Sequence, residues 1–181
     1  MAGRLVLVVG PSGAGKDTLL RAAQSALRDD GRFVFARRVV TRPADAALED
    51  HESISADAFA TRHARGDFAL SWSAHGLHYG IPASAAEALA RGRVVVVNGS
   101  RGVVASAQLY YPGTAVVFVD AVPTVRAHRL AARGREDAAA IAARLEREVD
   151  APLPGAIMID NSGSLDASAR QFVDVLVSFA A

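Results

Sequence analysis

The stretch GPSGAGKDTLL, residues 10–20, follows an unbroken apolar run at Leu5–Val9 and precedes a segment with helical spacing. Gly10, Gly15 and Lys16 fit the pattern G-x-x-x-x-G-K, and a strand before it with a helix after it is the setting that this pattern needs to bind phosphate. Glycines let the turn made by Gly10, Pro11, Ser12, Gly13, Ala14 and Gly15 aim backbone N–H groups at one point. The N-terminus of the following helix adds partial positive charge, and Lys16 can reach the outer phosphates of a nucleoside triphosphate. Lys16 is also the sole lysine in the chain; the other nineteen of its twenty basic residues are arginine.

Asp17 departs from the pattern, because a serine or threonine after the lysine usually gives a hydroxyl to Mg²⁺. Two readings stand side by side. A carboxylate in the first turn complements the helix dipole, an effect worth under about 1 kcal/mol. It also suits Mg²⁺, directly or through water, beside a triphosphate that it would otherwise repel, with Thr18 as a substitute donor.

Outside this turn, composition sets the limits. The chain has 181 residues, about half of them hydrophobic, which suits one compact domain over residues 1–181. A net charge of +1 shows no basic excess, so nucleic acid is not an expected partner. No cysteine is present, which removes disulfides and thiolate metal sites. The start of the chain lacks the features of a signal peptide, and apolar runs such as Val94–Val97 are strand-length. The expectation is therefore a cytoplasmic protein with no membrane span.

The run at Leu5–Val9, apolar at every position, suits a strand buried on both faces of a parallel sheet. Leu20, Ala23 and Leu27 share one face of a helix over Asp17–Arg28, with Gly31 as a stop. Strand and helix patterns then alternate: strand Val94–Val97, helix Val103–Leu109, strand Ala115–Val119, helix Pro123–Ala132, strand Ala156–Ile159, helix Leu165–Phe179. That rhythm implies an α/β sandwich of three layers around a parallel sheet. Residues Phe33–Pro82 break the rhythm with His- and Arg-rich sequence and read as an inserted substrate-binding region. The Ala-rich segment Asp137–Glu148 reads as an arginine-bearing helix outside the core.

The motifs GPSGAGKDTLL, RRVVTRP (37–43), LSWSAHGLHYG (70–80), HRLAARGR (128–135) and ARL (143–145) resemble, in order and spacing, those of the guanylate kinase superfamily. The Asp after the lysine, VTR (40–42), EDH (49–51), LSW (70–72) and VNGSR (97–101) are most similar to the ribose 1,5-bisphosphate phosphokinases. The resemblance implies a guanylate kinase-like fold with an acceptor-binding insertion at about 33–82 and an arginine-rich lid at about 126–148. It also implies ATP and a small phosphorylated sugar as substrates, with Mg²⁺ as cofactor. In that family ATP converts ribose 1,5-bisphosphate to 5-phosphoribosyl diphosphate during bacterial phosphonate breakdown.

Residue by residue, the resemblance places Arg38, Arg42, His51 and Tyr79 on the acceptor phosphates, Ser71 in the acceptor-binding site beside them, and Arg133 and Arg144 on the transferring group from the lid. Arg129 and Arg135 fit either a lid role or a solvated face. Two departures from true guanylate kinases bear on the acceptor. Ala44 stands where a second phosphate-binding arginine belongs, and Ser71, ahead of Trp72, replaces the glutamate that reads guanine. A hydroxyl lacks the charge and second oxygen of a carboxylate, so bidentate recognition of a guanine edge is lost. A nucleoside monophosphate kinase, and a guanylate kinase-like module that binds proteins without catalysis, are the alternatives. Trp72 reads as a packing residue, and His75 and His78 as loop histidines.

Overall fold

The computed structural model describes residues 3–42, 50–132 and 153–180; between 133 and 152 it describes only 139, 142 and 145. Five parallel strands form the central sheet: β1 (Arg4–Val9), β2 (Phe33–Ala36), β7 (Val94–Asn98), β8 (Ala115–Asp120) and β9 (Ile157–Asp160), in the order β2-β7-β1-β8-β9. Helices cover both faces: α1 (Lys16–Ala26), α3 (Ser84–Ala90), α4 (Arg101–Tyr110), α5 (Pro123–Ala132) and α6 (Leu165–Ser178).

The unbroken apolar run of β1 is explained by where its side chains go. Leu5, Leu7 and Val9 enter a core shared with Val103, Val104 and Ala107 of α4, and Val6 and Val8 enter a second core with Leu19, Ala23, Phe172 and Leu176 of α1 and α6. Successive residues of a strand point to opposite faces, so a sheet covered on both sides needs apolar side chains at every position. The buried ridge of α1 and its C-cap is Leu19, Ala23 and Leu27, four residues apart, while Leu20 is partly buried at its edge.

A second sheet, in the order β4-β3-β6-β5, is built from β3 (Arg38–Val40), β4 (His51–Ser53), β5 (Phe68–Ala74) and β6 (Leu77–Pro82). β3 and β4 run parallel, and β6 is antiparallel to both β3 and β5. Helix α2 (Ala56–Ala64), N-capped by Ser55 through the Ala58 amide, covers one face by stacking Phe59 on Phe68 and His78. Leu70 and Ile81 carry the other face into the core of the central sheet. The expected insertion therefore begins later than Phe33: Phe33–Ala36 pairs with β7 as the edge strand of the central sheet. The expected helix over 137–148, and the expected lid beyond Ala132, lie almost wholly outside the described residues.

Among the described residues, no helix is long and apolar enough to cross a membrane. The turn at Gly10 follows the carboxyl end of β1, between β7 and β8, where open parallel sheets bind their ligands. Gly10 has φ +145, and a Cβ there would run into the Val119 carbonyl of β8. Gly10→Ala should therefore lower unfolding stability by about 2 kcal/mol or more. Urea denaturation checks this, and an unchanged midpoint would contradict the packing of the turn against β8.

Candidate active site

The turn between β1 and α1 is held through its carbonyl groups. Lys16 Nζ donates to Gly10 O at 2.6 Å and to Pro11 O at 3.1 Å, closing the turn on itself. Arg126 Nε of α5 donates to Ser12 O at 3.0 Å, and Arg129 Nη1 donates to Ala14 O at 3.2 Å with a longer approach of 3.5 Å to Gly13 O. Asn161, just after β9, adds a 2.8 Å bond from Nδ2 to Ala14 O, and its own carbonyl receives Arg129 Nη2 at 2.8 Å. Gly15 O accepts from the Thr18 and Leu19 amides as α1 begins. Every carbonyl from Gly10 to Gly15 is thus engaged by the protein, which leaves the opposite side of the turn to its N–H groups. Asn161 comes so close to Gly15, which has φ +92, that a Cβ there would meet its amide.

Sequence reasoning missed this brace. Arg126 is 5% exposed, which is unusual for an arginine, and it lies three residues before Arg129 on the same face of α5. That spacing was the available signal.

Asp17 stands in the first turn of α1, and its Oδ1 accepts from Asn98 Nδ2, at the end of β7, at 2.6 Å. Both residues line a cleft of about 290 Å³ whose wall also includes Arg21, Phe35, Arg38 and Asp50. Burial draws the Arg38 guanidinium below its ordinary pKa, with Arg42 adding to the effect and Asp17 and Tyr79 opposing it. Arg38 also lies over the Tyr79 ring at 5.5 Å, and Tyr79 stacks on Trp72 at 5.2 Å with the planes 8° apart. Trp72 packs against the central core as well, which makes it the floor of this corner.

Register explains how these side chains meet. Arg38 pairs with His51, Val40 pairs with both Ser53 and Tyr79, and Tyr79 pairs with Trp72, so alternation puts Arg38, His51, Ser53, Tyr79 and Trp72 on one face. Ser71 pairs with Gly80, and the same alternation turns it to the opposite face, that of Phe68 and α2. Thr41 exchanges bonds with the His78 backbone, and Arg37 bonds Asp50 and the His51 carbonyl, which ties the two flanks of β3 to β6 and β4. Ala44, Arg133 and Arg144 lie outside the described residues.

His51 is 8% exposed, and neither ring nitrogen has a hydrogen-bond partner among the described residues; Ser53 Oγ and Trp72 Nε1 are in the same position. Burial pushes the imidazole pKa below its ordinary 6.5. The guanidinium groups of Arg42, Arg38 and Arg37 push it further, against a weaker pull from Asp50. A neutral imidazole beside arginines gives this face a donor that adds no further positive charge.

The donor set around Asp17 suits a hard divalent cation. Asp17 offers a carboxylate, and one bond from Asn98 leaves it further acceptor capacity; the Thr18 hydroxyl is one residue on. No group of three or more His, Cys, Asp or Glu gathers among the described residues. A hard cation held at Asp17 would therefore take the rest of its shell from phosphates and water, which is the habit of Mg²⁺. The residues fit.

No family model matches the chain. It is 52% identical over 176 residues to the ribose 1,5-bisphosphate phosphokinase of Acidiphilium cryptum, covering 97% of this chain and 93% of that protein. It is 50% identical over 175 residues to the enzyme of the same name from Bradyrhizobium diazoefficiens, covering 96% and 88%. The fold is similar to that of a guanylate kinase from Anaplasma phagocytophilum, with a TM-score of 0.68 at 16% identity over 98% of this chain and 86% of that one.

The low imidazole pKa has a consequence for stability. His51 stays neutral in the folded protein at pH values where the unfolded chain has begun to take up a proton, so its contribution falls as pH drops through 6.5 toward the folded-state value. His51→Gln should therefore lose less stability than the wild type between about pH 7.5 and pH 5.5. Urea midpoints at the two pH values check this, and an equal loss in both proteins would contradict it.

Proposed function

We infer the activity from the family to which this chain belongs, the ribose 1,5-bisphosphate phosphokinases: it transfers the γ-phosphoryl group of ATP to the 1-phosphate of ribose 1,5-bisphosphate, giving 5-phosphoribosyl 1-diphosphate and ADP. One observation carries the reading for this chain: a turn whose carbonyls are all held by the protein opens beside a cleft lined by Asp17, Arg38 and Asn98.

The nucleophile is an oxygen of the acceptor's 1-phosphate. With a second pKa near 6 that phosphate is largely ionised at neutral pH, so no residue has to remove a proton from it. Its oxygen bonds to the γ-phosphorus, the bond from that phosphorus to the β–γ bridging oxygen breaks, and ADP leaves with the electron pair. The protein's task is to bring two anions together and hold them in line.

Gly10 to Gly15 cradle the ATP phosphates through backbone N–H groups, and Lys16 moves its ammonium charge onto them. Arg38, Arg42, His51 and Tyr79 seat the acceptor phosphates, and the stacked Trp72 keeps Tyr79 in place. Asp17, with Thr18 beside it, would hold Mg²⁺. When bound, that ion would neutralise phosphate charge. Arg133 and Arg144 complete the cationic shell from the lid segment. Ser71, on the far face of its strand, supports the sheet and does not read the ligand. The single domain over residues 1–181, with the second sheet as its acceptor-binding part, belongs to the same proposal.

An acceptor panel tests this reading. ADP release should be fast with ribose 1,5-bisphosphate and slower by about two orders of magnitude or more with GMP and other nucleoside monophosphates, because Ser71, which takes the place of the guanine-reading glutamate, lacks its carboxylate and faces α2. Lys16→Ala should lower turnover of the preferred acceptor by about two orders of magnitude while the circular dichroism spectrum stays native. Efficient phosphorylation of GMP, or near-normal turnover by the lysine variant, would contradict the proposal.

A further inference from the structure

The amide of Asn98 has a role that the phosphate contacts do not account for. A carboxylate offers only acceptors, so the 2.6 Å contact with Asp17 Oδ1 requires the Asn98 NH₂ to face Asp17 and fixes the other end of the amide as the carbonyl oxygen. That oxygen, Oδ1, is buried and has no donor among the described residues. Leaving a buried acceptor unmade is costly; a water, a bound ion or a group of the ligand can supply the donor, and a cleft that takes a sugar phosphate receives donors with the sugar itself. The cleft is the one that Asn98 lines together with Asp17 and Arg38. Phosphate oxygens cannot be that donor, since they only accept from the protein. In ribose 1,5-bisphosphate the donors are the two free hydroxyls, on C2 and C3.

The geometry points to Asn98 as the residue that reads the sugar: its Oδ1 accepts a hydrogen bond from the 2-hydroxyl, the one beside the reacting phosphate. This rests on the acceptor proposed above. Asp17 is the neighbour of Lys16 in the chain, so an amide locked onto Asp17 lies at the end of the cleft where the phosphoryl group is transferred. β7 supplies the rigidity. Val94 to Val97 are buried in the middle of the central sheet, and Gly99 N donates to Val8 O at 2.9 Å, so the backbone on both sides of Asn98 is fixed to β1. A side chain on a central strand, with its orientation set by a charge, can tell a sugar that has a hydroxyl from one that lacks it. Asn98 is therefore a specificity residue and also positions Asp17.

The test compares ribose 1,5-bisphosphate with 2-deoxyribose 1,5-bisphosphate at saturating ATP and Mg²⁺. For the wild type, kcat/KM should favour the ribose compound by about 10- to 100-fold, the range expected when a buried acceptor is left unmade. In Asn98→Ala the ratio should fall to within about threefold of one, whatever the absolute rates. Loss of the contact to Asp17 slows both sugars alike and leaves the ratio untouched, so the ratio isolates the hydroxyl contact. A wild-type ratio near one overturns the assignment without recourse to any variant, and so does a wild-type-like ratio in Asn98→Ala. If the wild type turns over neither sugar, the proposed function itself falls and this inference falls with it.

Discussion

The structure depends on satisfying the carbonyl groups of six consecutive residues. A turn that shows its N–H groups to a ligand must point its carbonyls the other way, and buried carbonyls without donors are costly. Between Gly10 and Gly15 the donors come from three places: Lys16 in the turn itself, the first amides of α1, and a group formed by Arg126, Arg129 and Asn161. The last group ties the turn to α5 and to the end of β9. These elements are placed by the parallel sheet, so the order β2-β7-β1-β8-β9 is what makes the cradle rigid.

The same arrangement fixes the acceptor side. The first turn of α1 carries Asp17 toward the end of β7, where Asn98 receives it, and the second sheet brings Arg38, His51 and Tyr79 to a shared face. Positive charge is concentrated there, and burial keeps His51 neutral. Aromatic stacking gives the face its shape: Trp72 is anchored in the core, Tyr79 lies on it, and Arg38 lies on Tyr79. In such a site the affinity comes from guanidinium groups and the geometry from rings and backbone.

The central sheet was legible in the sequence because its strands are apolar at every position and its turn carries an unusual residue pattern. Phe33–Ala36 was not, because it is an edge strand with one buried residue, Phe33, and sits next to the arginines of the second sheet. Helices α2 and α3 were missed for a similar reason: both are short, and α2 buries one residue, Phe59, so neither shows a clear periodicity. Lys16 and Asp17 could be found by position alone. Asn161 could not, Arg126 showed only its spacing from Arg129, and Asn98 stood only inside the VNGSR motif: each acts on a backbone or carboxylate far away in the chain, and only the fold brings them together.

The central claim is that the phosphoryl group moves to a phosphate already on the sugar, and the fate of the label tests it most directly. In a single turnover with ATP carrying ¹⁸O on its γ-phosphoryl oxygens, the account predicts an isotope-shifted ³¹P signal at the outer phosphorus of a diphosphate on C1, with the 5-phosphate unshifted. Label on the 5-phosphate, or released as inorganic phosphate without any diphosphate at C1, would contradict it.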